Sequence, residues 1–260
     1  MVFKENDYVL LILKSDKEKR FFIRLQKDKE LHTHKGFIKH NDIIGKENAL
    51  PIISSLGKEF VVLSPRVDDL IMKSERKTQI VYPKDIGVIL LRGDVRKERT
   101  IIEAGTGSGV LTGIMAMVVG ESGKIKSFEW RNEFYETSIK NIKRFGDFIS
   151  KGIVEIIIRD VYKEGFSPHK GDSLILDLPE PWECFKYLKD VLEKGGSFVS
   201  LLPTVTQVAT LLEYMKDKFI DITVEEILSR KWKTEVKTLR PYDRMVAHTA
   251  FIISGRFVGY

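Results

Sequence analysis

The chain has 260 residues and a single cysteine, Cys184. One thiol can form neither an intrachain disulfide nor a cysteine-based zinc cage, so both devices are excluded. Proline and glycine number 8 and 19, too few for a collagenous or low-complexity chain. Long apolar runs are missing as well. Stretches such as Gly113–Gly120 fall far short of the roughly 20 residues that a bilayer-spanning helix needs. The start, Met1-Val-Phe-Lys-Glu-Asn-Asp, mixes charge signs and carries no apolar signal segment, which makes the cytoplasm the expected location and a membrane no expected partner. No metal is expected either. Blocks of one charge sign are also lacking: 43 basic residues outnumber 37 acids for a net +6, but they are interspersed, a pattern compatible with an anionic partner without demanding one.

What is present is an ordinary globular composition, 43% hydrophobic and 31% charged, with mean hydropathy −0.14. It suits one large domain, or one domain with a smaller companion. The first third holds short β-rich runs, Tyr8–Leu13, Arg20–Leu25, Leu31–Ile38 and Glu59–Leu63, separated by charged turns such as Lys14-Ser-Asp-Lys-Glu-Lys. These predict a small antiparallel β domain over residues 1–67, followed by a charged linker over 68–78. From Gln79 onward strands and helices alternate, which predicts an α/β domain over 79–260 with a doubly wound, mostly parallel sheet. Its strands are expected at Thr100–Glu103, Lys124–Glu129, Val154–Ile158, Ser173–Asp177 and Gly196–Leu202. Asp221–Ser229, Thr234–Leu239 and Val246–Ser254 then read as closing strands, the last two paired as a β-hairpin because no helix-length segment divides them.

The strongest local signal is Glu103-Ala-Gly105-Thr-Gly107-Ser-Gly109 between a strand and the apolar helix Leu111–Val119. Such glycines let the backbone turn sharply and present N–H groups to a ligand at a helix N-terminus, though any tight strand-to-helix turn can use glycine. The spacing is E-x-G-x-G-x-G, and Val110 stands where the dinucleotide fingerprint would place its third glycine. A leading acid suits a cationic ligand and disfavours a pyrophosphate. Glu129, at the end of the next strand, can accept from a ribose diol or simply sit exposed at a strand end. Phe134 can face an adenine or belong to the core. Asp160 can accept from an adenine amine, and Asp177 opens Asp177-Leu-Pro-Glu-Pro-Trp182. Four successive strands thus each deliver an acid near the carboxyl edge, where open α/β sheets bind ligands.

Together, Gln79-Ile-Val-Tyr82-Pro83-Lys84-Asp85, Glu103–Gly109 and Leu176–Trp182 resemble the T-loop tRNA adenine-N1 methyltransferases of TrmI type, which are class I S-adenosylmethionine (SAM) enzymes. The likeness extends over nearly the whole chain, including Ala247-His248-Thr249-Ala250-Phe251. The glycine motif is common to class I methyltransferases. The Tyr-Pro-Lys-Asp segment also occurs in isoaspartyl methyltransferases, so the Asp177–Trp182 run carries the distinction. The resemblance implies a Rossmann-like methyltransferase domain and transfer of the SAM methyl to N1 of a tRNA adenine at position 58, with position 57 as a second candidate. It places the methionine moiety against Gly105, Gly107, Ser108, Gly109, Val110 and Leu111, with Glu103 leading that loop. Glu129 would take the ribose, Phe134 lie near the adenine, and Asp160 with Val161 read its edge. Gln79 would help to hold the cofactor. Asp177 would be the catalytic carboxylate, also near the methionine, and Tyr82 would contact the target base. It further implies a homotetramer acting on tRNA.

Other residues read more plainly. His248 is expected to be structural, Trp182 to pack, and Cys184 to lie in the core. Leu201 stands where family members carry an aromatic. Lys231, Lys233, Lys237, Arg240 and Arg244 are candidates for the tRNA backbone or a solvated face. Two other readings predict different requirements. A protein methyltransferase of isoaspartyl type has no need of Asp177, and a non-catalytic tRNA-binding subunit would lose the glycine loop or the acid.

Overall fold

The computed structural model describes residues 1–75 and 79–259, and the chain divides into two compact units, Met1–Lys73 and the segment from Ser74 onward. Part of the expected linker, residues 76–78, lies outside the described residues. At the start of the expected linker Val67–Met72 forms a short helix, α1, with Asp68 and Asp69 in its first turn, where carboxylates meet the positive end of the peptide dipoles.

The first unit is built from six strands. β1 (Tyr8–Leu13), β2 (Asp16–Arg24), β5 (Leu50–Ile53) and β6 (Glu59–Leu63) form an antiparallel sheet in the order β2-β1-β6-β5. Val9, Leu11 and Leu13 alternate along β1 and pack with Leu25, Phe60 and Val62 in this unit's own core. The run expected as one strand, Leu31–Ile38, is a hairpin of β3 (Glu30–Thr33) and β4 (Gly36–Lys39), and β5 went unpredicted. The charged turn expected after Leu13 is shorter, because β2 begins at Asp16, which pairs with Leu13 before the register shifts to Arg20 opposite Ile12.

The second unit is a seven-stranded sheet flanked by helices. Its strands are β7 (Thr100–Ala104), β8 (Lys124–Glu129), β9 (Val154–Ile158), β10 (Gly171–Leu176), β11 (Leu192–Leu202), β12 (Phe219–Glu226) and β13 (Phe251–Phe257), in the order β12-β13-β11-β10-β7-β8-β9. The five strands β11, β10, β7, β8 and β9 run parallel. The main helices are α2 (Pro83–Arg92), α3 (Val110–Val119), α4 (Tyr135–Phe145) and α7 (Val205–Met215), with single turns at α5 (Val161–Glu164) and α6 (Leu188–Val191). Central parallel strands are buried on both faces and therefore read as continuous apolar runs: Leu174, Ile175, Leu176, Phe198 and Val199 have no exposed surface.

The closing strands depart from expectation. Thr234–Leu239 is not a strand. Instead β13 pairs antiparallel with both β11 and β12, so the terminal antiparallel pair joins Phe219–Glu226 to Phe251–Phe257 across a long connection. Alternation in Thr234–Leu239 misleads because the residues are exposed, with Val236 and Leu239 mostly open to solvent, and no neighbouring strand receives them. Among the described residues no helix is long and apolar enough to cross a membrane, and no cluster of three or more His, Cys, Asp or Glu side chains is placed to hold a metal ion.

Candidate active site

Register places the site. Ala104 lies opposite Leu176 on one side and Phe128 on the other, and Glu129 lies opposite Ile158, so the carboxyl ends of β10, β7, β8 and β9 are level. The chain leaves β7 for β8 and β9 on one flank and returns to add β10 on the other. That reversal between β7 and β10 is where open α/β sheets leave a crevice for ligands. The glycine loop leaves β7 at this point, and Asp177 leaves β10.

The two exits touch. Gly105 has φ +93°, and a Cβ there would stand 2.2 Å from the carbonyl oxygen of Asp177, so only glycine fits. Ladder bonds hold this approach: Gly105 N–H donates to the Phe128 carbonyl at 2.9 Å, and Asp177 N–H to the Ala104 carbonyl at 2.9 Å. Gly109 is likewise required, being left-handed (φ +74°) at the N-cap of α3 against the Ser138 backbone. Ser108, Val110 and Leu111 are buried around this turn, and the Ser108 carbonyl accepts from Asn141 at 2.9 Å.

Glu103 is 1% exposed and turned into the sheet. Its carboxylate accepts from the hydroxyls of Thr112 and Ser127, both at 2.6 Å, and Ser127 also bonds Thr106 at 2.6 Å. Burial pushes this carboxyl up to about 7; the two hydroxyl bonds oppose the rise, and the charges of Asp177 and Glu129 add to it. Glu103 therefore braces the loop from behind.

Glu129 is also buried. One oxygen accepts from Gly107 N–H at 2.9 Å, and the other accepts from Arg131 N–H at 3.0 Å and Arg131 Nε at 2.9 Å. The Arg131 guanidinium lies 4.2 Å above the Phe134 ring, a cation–π stack. Asp160 caps α5, accepting from Tyr162 N–H at 3.1 Å, and pairs with Lys163 at 2.9 Å. The Lys163 bond, opposed by partial burial, holds its carboxyl below the ordinary range.

Two cavities meet at Asp177. The larger, about 440 Å³, is lined by Gly105, Glu129, Arg131, Asp160, Val161 and Asp177 among others; the smaller, about 170 Å³, by Gln79, Tyr82, Asp85, Asp177, Leu201 and Thr249 among others. Among the described residues lining them, Asp177 alone is common to both. Enclosure at the crevice floor pushes its carboxyl up to about 6, with Arg131 opposing and Glu129 adding. The side chain nevertheless keeps open access to solvent, which screens these interactions.

Gly105, Glu129, Asp160, Val161 and Asp177 thus converge on the larger cavity, and Gln79, Tyr82 and Asp177 on the smaller. Glu103 stands behind the loop; Ser108, Gly109, Val110 and Leu111 form its buried passage into α3, and Phe134 lies beneath Arg131. Sequence reading missed Arg131, whose signal was a cation two residues beyond a strand-end acid, and Asp85. Trp182 stacks on Tyr214 and Cys184 is fully buried, as expected. His248 lies in the connection before β13 rather than on the final strand. Its ring is held between Glu226 at 2.6 Å and the Pro203 carbonyl at 2.8 Å.

The residues present fit a cationic nucleoside cofactor. A glycine cradle that a Cβ would fill, Asp160 and Asp177 in the wall of the larger cavity and a buried strand-end glutamate form a donor-accepting set suited to a sulfonium, an ammonium and a ribose. Comparison with known proteins agrees. The family model described as tRNA methyltransferase complex GCD14 subunit matches residues 60–251, and the TrmI-like N-terminal model matches residues 3–50. A tRNA (adenine(57)-N(1)/adenine(58)-N(1))-methyltransferase TrmI of Methanocaldococcus jannaschii is 32% identical, over 96% of this chain and 94% of its own length. Among solved structures, TrmI of Aquifex aeolicus, a tRNA (m1A58) methyltransferase, superposes with TM-score 0.84 at 36% identity, covering 99% of each chain. A SAM-dependent O-methyltransferase of Thermotoga maritima superposes with TM-score 0.90 at 38% identity, covering 99% of this chain and 95% of its own. With its glycine loop, its crevice acids and both family models in place, the chain belongs to the tRNA methyltransferase complex GCD14 subunit family and is a SAM-dependent methyltransferase.

Proposed function

We propose that the chain methylates N1 of the T-loop adenine at position 58 of tRNA, with adenine 57 as a second target, and that Asp177 is the carboxylate on which the reaction turns. The observation that carries this reading is the position of Asp177 in the wall shared by the two cavities. The larger has a volume within the roughly 300–1,000 Å³ usual for cofactor sites; the smaller is below it and suits one planar ring.

In this arrangement Glu129 receives the ribose diol, Asp160 and Val161 the adenine edge, and the loop Gly105–Leu111 the methionine moiety, with Gln79 at the opposite side. When bound there, SAM supplies an electrophilic methyl group on a sulfonium. The target adenine occupies the smaller cavity. Its N1 lone pair lies in the ring plane and needs no prior deprotonation, but positive charge spreads to the exocyclic N6 amine as N1 gains a bond. Asp177 accepts from N6–H, orients the ring and takes up the developing proton. Much of the acceleration comes from alignment fixed by the backbone. Tyr82 forms the aromatic wall, and Leu201 gives an aliphatic one in place of a second aromatic.

The tRNA must release the adenine from its T-loop contacts, at a cost of a few kcal/mol offset by phosphate and stacking contacts. Lys231, Lys237 and Arg244 are exposed in the connection between β12 and β13 and serve the backbone there. The exposed Ile220, Ile222 and Val224 along the edge strand β12 offer an apolar face for self-association, and the assembly proposed is the homotetramer implied by the family resemblance. Light scattering on the purified chain tests it, and a monomer or a dimer would overturn it.

The reaction is tested by incubating the protein with unmodified tRNA and methyl-labelled SAM, then identifying the labelled nucleoside. The expected product is 1-methyladenosine, lost in Asp177→Ala while SAM binding is retained. The Thermotoga relative is described as an O-methyltransferase, which favours a second reading, transfer to oxygen. SAM binding with an oxygen-methylated product, or with no nucleoside product, would overturn the adenine-N1 assignment.

A further inference from the structure

Lys84 and Asp85 open α2 beside Tyr82 and are buried, with side chains 8% and 3% exposed. The Lys84 ammonium donates to three acceptors: Asp85 Oδ1 at 2.8 Å, the Ile227 carbonyl at 2.7 Å and Thr249 Oγ1 at 2.5 Å. All three of its donors are thereby used. The Thr249 hydroxyl in turn donates to Asp85 Oδ2 at 2.7 Å. Ile227 directly follows β12, and Thr249 lies two residues before β13. One buried ammonium therefore bridges both roots of the connection that carries Lys231, Lys233, Lys237, Arg240 and Arg244.

The same cluster walls the smaller cavity. Asp85 and Thr249 line it with Tyr82, and the Tyr82 carbonyl accepts from Asp85 N–H at 2.9 Å and Ile86 N–H at 3.1 Å. Stability is a weak reason for such a pair, because desolvation offsets most of the attraction and apolar replacements of both partners are often neutral. Its discriminating property is geometric: it sets where a basic loop leaves the sheet relative to a pocket.

We propose that Lys84, Asp85 and Thr249 are positioning residues that lock the roots of the 227–250 connection to the base cavity, so that phosphate-binding charge and pocket meet the tRNA in one fixed relation. The role in tRNA binding rests on the function proposed above; the lock itself does not.

The test uses Thr249→Val, Thr249→Ser and the neutral pair Lys84→Met/Asp85→Leu, which leaves no unpaired buried charge. Four quantities are read: tRNA kinetics, SAM affinity by calorimetry, melting temperature, and the rate of tryptic cleavage within 227–250. Thr249→Val and the paired variant are expected to raise KM for tRNA by about tenfold or more, with SAM affinity within about twofold of wild type. Cleavage at Lys231, Lys233 or Lys237 should accelerate by a similar factor, and Thr249→Ser should restore both. Unchanged cleavage and KM would overturn the proposal. So would SAM affinity and melting temperature falling in step with tRNA binding, which is the signature of general destabilisation. Should wild type methylate no tRNA, the function fails and the tRNA role with it, while the cleavage rates still decide the lock.

Discussion

Replacing Glu103 by glutamine should stabilise the protein at alkaline pH. The carboxyl is 1% exposed and pushed up to about 7 from 4.5, so the ionised form is carried in the fold at a cost. At about 1.4 kcal/mol per decade this amounts to about 3 kcal/mol once the group is fully charged. The sign follows from linkage. A carboxyl whose folded value is raised contributes stability that is complete below the unfolded value of 4.5 and lost as pH rises through about 7. Glutamine keeps the shape and can still accept from Thr112 and Ser127, but never charges. Urea unfolding at pH 5 and pH 8.5 reads the difference. The variant's advantage should be about 1 kcal/mol or less at pH 5 and approach 3 kcal/mol at pH 8.5. At about 2–4 °C per kcal/mol, this is a rise in melting temperature of roughly 6–12 °C at the higher pH. An advantage independent of pH, or a destabilisation at both, would refute the reasoning. Because the carboxylate braces the loop from behind, SAM affinity should fall by less than about tenfold, and a larger loss would mean that Glu103 reaches the ligand directly.

The acid side of the pH–rate profile should follow Asp177: kcat/KM falls as pH drops through about 6, and Asp177→Asn lowers kcat by about 10²–10⁴ with SAM binding kept. A profile flat through that range would detach the carboxylate from the reaction. Gly105→Ala drives a Cβ into the Asp177 carbonyl at a left-handed position, and should cost about 2 kcal/mol or more and weaken SAM binding at least tenfold; calorimetry showing wild-type affinity would refute the contact. Bonds to the Pro203 carbonyl first and Glu226 second raise the His248 ring above its ordinary value, with burial and the Lys84 charge opposing, so its double fastening is complete below 6.5 and lost as pH rises through the raised value. Tryptic cleavage of 227–250 should therefore accelerate with pH more in wild type than in His248→Gln, and equal responses would refute the fastening.

The features legible in the sequence are the local ones. A β-rich run followed by Gly105, Gly107 and Gly109 marks strand, turn and helix within a dozen residues, and the acids at strand ends fall where parallel topology gathers them. What stayed hidden depends on distant pairing. Phe219–Glu226 meets Phe251–Phe257 across a long connection whose own alternation imitates a strand. Leu31–Ile38 bends at its middle because Gly36 takes a left-handed turn, which the apolar pattern does not announce. The three acceptors of Lys84 include atoms 143 and 165 residues away, and no spacing rule reaches so far. Arg131 was visible two residues beyond Glu129, but its stack on Phe134 is settled only by the turn between them.

The contact between Gly105 and the Asp177 carbonyl joins the glycine loop and the Asp177 carboxylate into a single mechanical part, tied to β8 through the Phe128 carbonyl and to β7 through the Ala104 carbonyl. In the mechanism proposed above, the distance between the two halves of the reaction is then a property of the backbone, insensitive to which side chains surround it. The far wall of the smaller cavity, from Leu201, Pro203 and Thr249, belongs to other elements and varies independently. An architecture divided this way lets the acceptor change, by redesign or by descent, while the spacing between the glycine loop and Asp177 is inherited intact.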